Sequence, residues 1–321
     1  MRFNELYGHA KPISILKSAM ARDRIAHAYL FSGMEGVGKR SAAALFAGAL
    51  NCRGEEPPCG DCASCRKAAH RNHPNIITIK AEGQFIKIGA IKELQARMAF
   101  RPEEGKRVLI IEEADRMNAA AANALLKTLE EPSPENVLLL TTARSHALPM
   151  TILSRCQHLR FAPLPREEVA RFCQEKAGLD APAASLLAAS AGGSIGRALE
   201  MNREDYPALR DGILELLAQD DPADLLRRLA AAGRFGTERE EILERLRILR
   251  GGYRDGLVLR ETGEKERLMF LDRAEVIEAI AGRLSGRDLL RNISVVEAAM
   301  RAIGQNANKS LTLEAMLIKL A

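Results

Sequence analysis

Nine consecutive residues, 33–41, carry the most specific chemistry in the chain. Gly33, Gly36 and Gly38 share a short turn, Lys39 follows directly, then Arg40 and Ser41. An apolar run, Ala28-Tyr29-Leu30-Phe31, precedes them, and an alanine-rich helical run over 42–50 comes after. Strand, glycine-rich turn and helix start are the setting in which backbone N–H groups converge on phosphate oxygens. The first turn of the helix offers its unpaired N–H groups and positive dipole end to the same anion. Lysine at 39 is placed to reach the β- and γ-phosphates. The pattern GxxxxGK[ST] next requires a hydroxyl, which holds Mg²⁺. Arg40 stands there instead, and Ser41 comes one residue late. A guanidinium cannot ligate Mg²⁺ and repels it. The loop therefore reads as built for a nucleotide such as ATP and poorly fitted to hydrolysing it with Mg²⁺.

Two further stretches belong to the same chemistry. Residues 107–111 are an apolar run that ends in Glu112, Glu113 and Asp115, the pattern of a buried parallel strand with acids at its tip. In nucleotide-binding α/β folds such carboxylates meet the metal and the attacking water, with Asp on the metal side and Glu on the water side. Here Glu112 takes the metal side, one methylene too long, and Glu113 the water side. A second buried run over 137–140 ends in Thr141 and Thr142. Thr141 or Thr142 stands where a hydroxyl senses the γ-phosphate, with Thr142 the candidate taken forward; a threonine at a strand tip is equally a good strand former.

Cys52, Cys59, Cys62 and Cys65 have the spacing C-x₆-C-x₂-C-x₂-C. Four thiolates this close suit tetrahedral Zn²⁺, and a closed four-sulfur shell leaves no position for water, so the zinc is structural. His70 and His73 follow, but four sulfurs already complete the shell.

The elements that position these groups read as follows. Residues 1–24 hold a turn and an amphipathic helix with Ile13, Leu16 and Met20 on one face. Residues 75–79 form a short strand, and 86–100 a strand end followed by a helix. A helix over 119–131 stops at Pro132. Residues 152–161 lead out of the domain. Alternating strands and helices imply a parallel sheet with crossover helices. Beyond 166 strand signals vanish, and the rest is helical with breaks near 233–236, 251–252 and 285–286. Leu289, Leu290, Ile293, Val296 and Met300 make one apolar face, and Leu313, Met316, Leu317 and Leu320 another, suited to assembly or to an internal core. The 321 residues allow two or three domains, and a net charge of +5 from 47 basic and 42 acidic groups permits a nucleic-acid surface without demanding one. The N-terminus lacks a signal-peptide apolar region and no run is long enough to span a membrane. A cytoplasmic protein with reduced thiols is expected.

These motifs, with Asn123 to Pro132 and the triplet Ser154-Arg155-Cys156, resemble AAA+ ATPases of the clamp-loader type. The resemblance is dense over 4–165 and weaker beyond. It implies an α/β plus all-α protein: an AAA+ nucleotide-binding-like domain over 1–163 with a zinc module inserted at 52–65, a helical lid over 164–205, and a C-terminal helical collar over 206–321. It implies that Arg155 is an arginine finger acting in trans on a neighbour's ATP, and that Arg197 is a second sensor arginine of the lid. The implied partners are the other clamp-loader subunits (gamma/tau and delta), the sliding clamp and primed DNA, all serving a DNA-directed DNA polymerase. Arg40 and Glu112 favour a non-hydrolysing subunit. Lys39, Glu113 and Thr142 keep open an ATP-hydrolysing motor of the gamma/tau kind. A separate zinc-dependent nucleic-acid binder is disfavoured: only Arg53, Arg66, Lys67 and Arg71 lie near the cysteines, with no aromatic residues between them to stack on bases.

Overall fold

The computed structural model describes residues 2–98, 101–102, 104–219 and 224–320. The chain divides into two compact units, Met1–Lys176 with Gly193–Arg197, and Ala177–Gly192 with Ala198–Ala321.

The first unit contains α1 (Ala10–Ala21), β1 (Ala28–Ser32), α2 (Lys39–Leu50), α3 (Ala63–Ala69), β2 (Ile76–Ile79), α4 (Ile88–Met98), β3 (Arg107–Ile111), α5 (Ala119–Glu130), β4 (Asn136–Thr142), α6 (Met150–Leu153), β5 (Gln157–Arg160) and α7 (Arg166–Ala177). The strands pair in parallel in the order β2-β3-β4-β1-β5. Side chains alternate across a strand, so the continuous apolar runs split between two faces. Tyr29, Phe31, Val108, Ile110, Val137 and Leu139 join Leu16 and Phe46 on one side. Ala28, Leu30, Leu109, Ile111, Leu138 and Leu140 join Ile91, Leu125 and Leu129 on the other. Burial on both faces is why these strands carry no polar alternation. The ends of β1, β3 and β4 therefore share one edge of the sheet, the edge at which open α/β sheets bind ligands.

One local expectation here needs correcting. Residues 157–160 are not an exit loop but the edge strand β5 beside β1. Its only buried residue is Leu159, because an edge strand turns one flank to solvent, and so the apolar run that marks a central strand is missing. Over 86–100 the expected strand end and helix are present, as the bridge of Ile86 to Met117 and the helix Ile88–Met98; Phe100 lies outside the described residues.

The second unit is helical among its described residues: α8 (Ala181–Ser190), α9 (Ile195–Met201, whose first three residues belong with the first unit), α10 (Tyr206–Ala218), α11 (Leu225–Ala231), α12 (Arg239–Thr262), α13 (Ala274–Arg283), α14 (Gly286–Gly304) and α15 (Lys309–Lys319). The pair Gly251–Gly252 does not break α12. Both lie at contacts too close for a side chain: a Cβ on Gly251 would stand 2.8 Å from the Phe270 ring, and one on Gly252 2.7 Å from Leu217 Cδ2. The break at 285–286 is present, with Ser285 capping α14 in a reciprocal capping box with Asp288. Leu289, Val296, Leu313, Met316, Leu317 and Leu320 face the unit's own core, while Leu290 is exposed. Among the described residues no helix is long and apolar enough to cross a membrane.

Asp255 is fully buried in α12. Burial pushes its carboxyl above the usual range, opposed by backbone N–H groups of the 269–270 segment and by Arg254. It accepts the Phe270 N–H at 2.8 Å and pairs with Arg254 at 2.6 Å. Asp255→Ala strands these donors and is expected to cost about 3 kcal/mol of stability. A denaturant melt shifted by less than about 1 kcal/mol would show that water replaces the carboxylate.

Candidate functional site

The phosphate loop begins where β1 ends. Gly33 donates its N–H to Thr142 O at 3.2 Å, and a Cβ there would lie 2.1 Å from Phe161 O. Gly36 has φ +73°, and a Cβ on it would lie 2.2 Å from Ser194 Oγ. Both positions therefore demand glycine. Gly38 immediately precedes α2, and Lys39 opens that helix, buried. Its Nζ donates to Gly33 O at 2.6 Å and Met34 O at 2.7 Å, so the loop's own carbonyls satisfy the ammonium. Burial pushes its pKa down, against the pull of Glu35 and Asp115. Ser41 is exposed on the first turn of α2.

The segment Gly193–Arg197 lies against this loop. Ser194 Oγ donates to Glu35 O at 2.9 Å, Gly196 N–H to Gly36 O at 2.9 Å, and Arg197 N–H to Ser194 Oγ at 3.1 Å. The Arg197 side chain is half-buried. His9 Nε2 sits 2.7 Å from Val37 O; a carbonyl only accepts, so that nitrogen carries the proton.

At the tips of β3 and β4 each acid meets an arginine. Glu112 Oε2 lies 3.2 Å from Arg40 Nη1. Glu113, in the left-handed region at φ +52°, donates its N–H to Thr141 Oγ1 at 3.2 Å and pairs with Arg116 at 2.8 Å. Asp115 accepts from Thr142 Oγ1 at 2.7 Å and from Arg144 Nε at 2.8 Å. The Thr142 hydroxyl is thus directed at a carboxylate. Arg116, Arg144, Ser194 and the acceptor role of Asp115 were not identified from the sequence. Only Arg116, directly after the acidic run 112–115, had a local signal; Arg144 and Ser194 had none.

Arg155 follows α6. Its Nη2 lies 2.9 Å from Glu130 Oε1, and its Nη1 donates to Thr151 O at 3.0 Å. Register separates it from the chain's own loop. Gln157 pairs with Tyr29, four residues before Gly33, a distance of about 13 Å at 3.3 Å per residue. Arg155 comes two residues earlier still, at the opposite edge of the sheet from the loop.

The four cysteine sulfurs lie within 4.8 Å of one another. Cys59 and Cys65 are 3.9 Å apart, close to the roughly 3.8 Å separation that a tetrahedron with 2.3 Å metal–sulfur bonds requires. Backbone N–H groups already point at the sulfurs: Gly54 and Cys59 at Cys52 (3.3 Å each), Cys62 at Cys59 and Cys65 at Cys62 (3.4 Å each). Such donors favour thiolate, and the donor set fits a tetrahedral thiophilic metal. N–H donors hold the Cys62 thiol down to about 6, while burial pushes Cys65 up to about 12. His73 bonds Ser64 Oγ at 2.9 Å, and His70 is exposed; neither joins the cluster.

A family model described as "DNA polymerase III, delta subunit" matches residues 8–165. The DNA polymerase III subunit delta' of Bacillus subtilis is 30% identical over 99% of this chain and 97% of its own. The chain belongs to the clamp-loader AAA+ family. The tau subunit of B. subtilis, another member, is 35% identical over 52% of this chain, and that match spans 30% of tau. A DNA polymerase III gamma subunit-related protein from Thermotoga maritima shares the fold, with TM-score 0.51 and 20% identity over 96% of this chain and 97% of that one. In this member of the family a glycine-rich loop and acids paired to arginines lie at one edge of the sheet, and Arg155 at the opposite one.

Proposed function

We propose that the chain is a clamp-loader subunit of the delta-prime kind: a stator that hydrolyses no ATP itself and presents Arg155 to a neighbour's nucleotide. It works among gamma/tau motors and delta while the assembly opens a sliding clamp and sets it on primed DNA. The observation that carries this reading is the Arg40–Glu112 pair. It fills the place where a hydrolysing site gathers a hydroxyl and a carboxylate around Mg²⁺. A pair this exposed stabilises the fold by at most about 1 kcal/mol. For a metal its effect is larger: Arg40 neutralises the Glu112 carboxylate and supplies no hydroxyl, so the site offers Mg²⁺ neither net negative charge nor a ligand from position 40. Lys39 held by loop carbonyls, Glu113 held by Arg116 and Thr142 held by Asp115 support the same reading.

In this scheme residues 1–163 form the AAA+ domain, 164–205 the lid and 206–321 the collar that joins the subunits. Cys52, Cys59, Cys62 and Cys65 hold a structural Zn²⁺. Calorimetric titration with ATP tests the stator reading. Any binding is expected to be indifferent to Mg²⁺ and to give no turnover, whereas Arg40→Ser with Glu112→Asp should make binding Mg²⁺-dependent. Tight Mg²⁺-dependent binding by the natural chain, lost in Lys39→Ala, would overturn the stator reading in favour of a motor.

A further inference from the structure

We infer that Glu130 is the positioning residue for Arg155, an inference that rests on the finger reading. Glu130 is the last residue of α5. A carboxylate there faces the negative end of the helix dipole and costs roughly 0.3–1 kcal/mol. Helix stability therefore does not explain an acid at 130. Its partner does: Nη2 of Arg155 lies 2.9 Å from Glu130 Oε1. On the other side of the guanidinium, Nη1 donates to Thr151 O at 3.0 Å and to Ser154 Oγ at 3.4 Å. The plane is thus held from two elements, α5 through Glu130 and α6 through Thr151.

A guanidinium has five N–H donors. The three acceptors take three, leaving Nε–H and one Nη2–H among the described residues for an incoming phosphate. Ordering a free arginine side chain costs about 2 kcal/mol of rotamer entropy. Glu130 and Thr151 meet that cost before the neighbour's nucleotide arrives, as groups behind a metal ligand fix its orientation. Glu130 never touches the nucleotide and acts only through the finger.

The test is single-turnover ATP hydrolysis by the full assembly, reconstituted with motor subunits, delta, sliding clamp and primed DNA. Glu130→Ala is expected to lower kcat at the served site by roughly 10-fold, in the range for loss of an orienting partner, with KM for ATP unchanged. Glu130→Gln, whose amide oxygen still accepts from Nη2, should restore most of the rate. In an Arg155→Ala background Glu130→Ala should have no further effect. Unchanged or faster turnover in Glu130→Ala, while Arg155→Ala is slow, overturns the positioning role and leaves the finger intact; faster turnover would mark Glu130 as a brake. A further loss on top of Arg155→Ala also overturns it, since Glu130 would then act by another route. If Arg155→Ala itself changes nothing, the finger reading falls and this inference with it.

Discussion

Arg155→Ala should leave the chain folded and slow hydrolysis at the neighbouring ATP by roughly 10³–10⁵, the value of arginine fingers in phosphoryl transfer. Folding survives because what the substitution removes is partly exposed: the ion pair with Glu130, worth at most about 1 kcal/mol, and the hydrogen bonds to Thr151 O and Ser154 Oγ beside it. Catalysis does not, because charge on the γ-phosphate oxygens spreads in the transition state and the guanidinium meets it with several fixed donors. Arg155→Lys should fall in between: it keeps the charge and loses the planar fork. The effect must appear in a different polypeptide, since register places Arg155 at the sheet edge opposite its own Gly33. Total turnover falls by less if other sites keep working, so the readout is single-turnover kinetics resolved by site. Unaltered rates at every site would remove Arg155 from catalysis.

What was legible in the sequence was what chemistry forces into adjacent positions. Gly33, Gly36, Gly38 and Lys39 must be neighbours to form one loop, and Cys59, Cys62 and Cys65 must be close to share a centre. The parallel sheet was legible because strands buried on both faces carry unbroken apolar runs. Contacts chosen only by folding were hidden. Ser194 bonds Glu35 O across 159 positions, Arg144 reaches Asp115 across 29, and Glu130 at the end of α5 meets Arg155 in the turn after α6. Nothing local to any of these residues announces its partner. Strand β5 escaped because Gln157, His158 and Arg160 face solvent. Gly251–Gly252 misled because a glycine that ends a helix and one that admits a neighbouring ring are the same letter. The pairing of Glu112 with Arg40 lies between these cases: each residue was conspicuous as a departure from the pattern, and the fold joins the two departures in one ion pair.

Zinc analysis of the purified chain should give about one metal per molecule, falling to near zero in Cys62→Ser or Cys65→Ser. The segment 52–69 has little else to hold it. Cys65 is its only buried apolar side chain apart from a proline, and α3 is seven residues long, below the length at which a helix is stable alone. A structural zinc supplies about 10–16 kcal/mol of apparent binding free energy in small zinc peptides. Even a fraction of that outweighs the bonds present here, such as Arg2 to Asp61 at the surface and the buried Ser64 hydroxyl to Asn51 O and His73. Amide exchange should therefore accelerate across 52–69 in the variants while β1, β3 and β4 stay protected, because the sheet core draws on none of the four cysteines. His73→Ala provides the contrast: its ring bonds Ser64 rather than the cluster, so metal content should hold. Full zinc in Cys65→Ser, or a metal-free natural chain with 52–69 still protected after purification without chelator, would show that the sulfurs pack together without a metal.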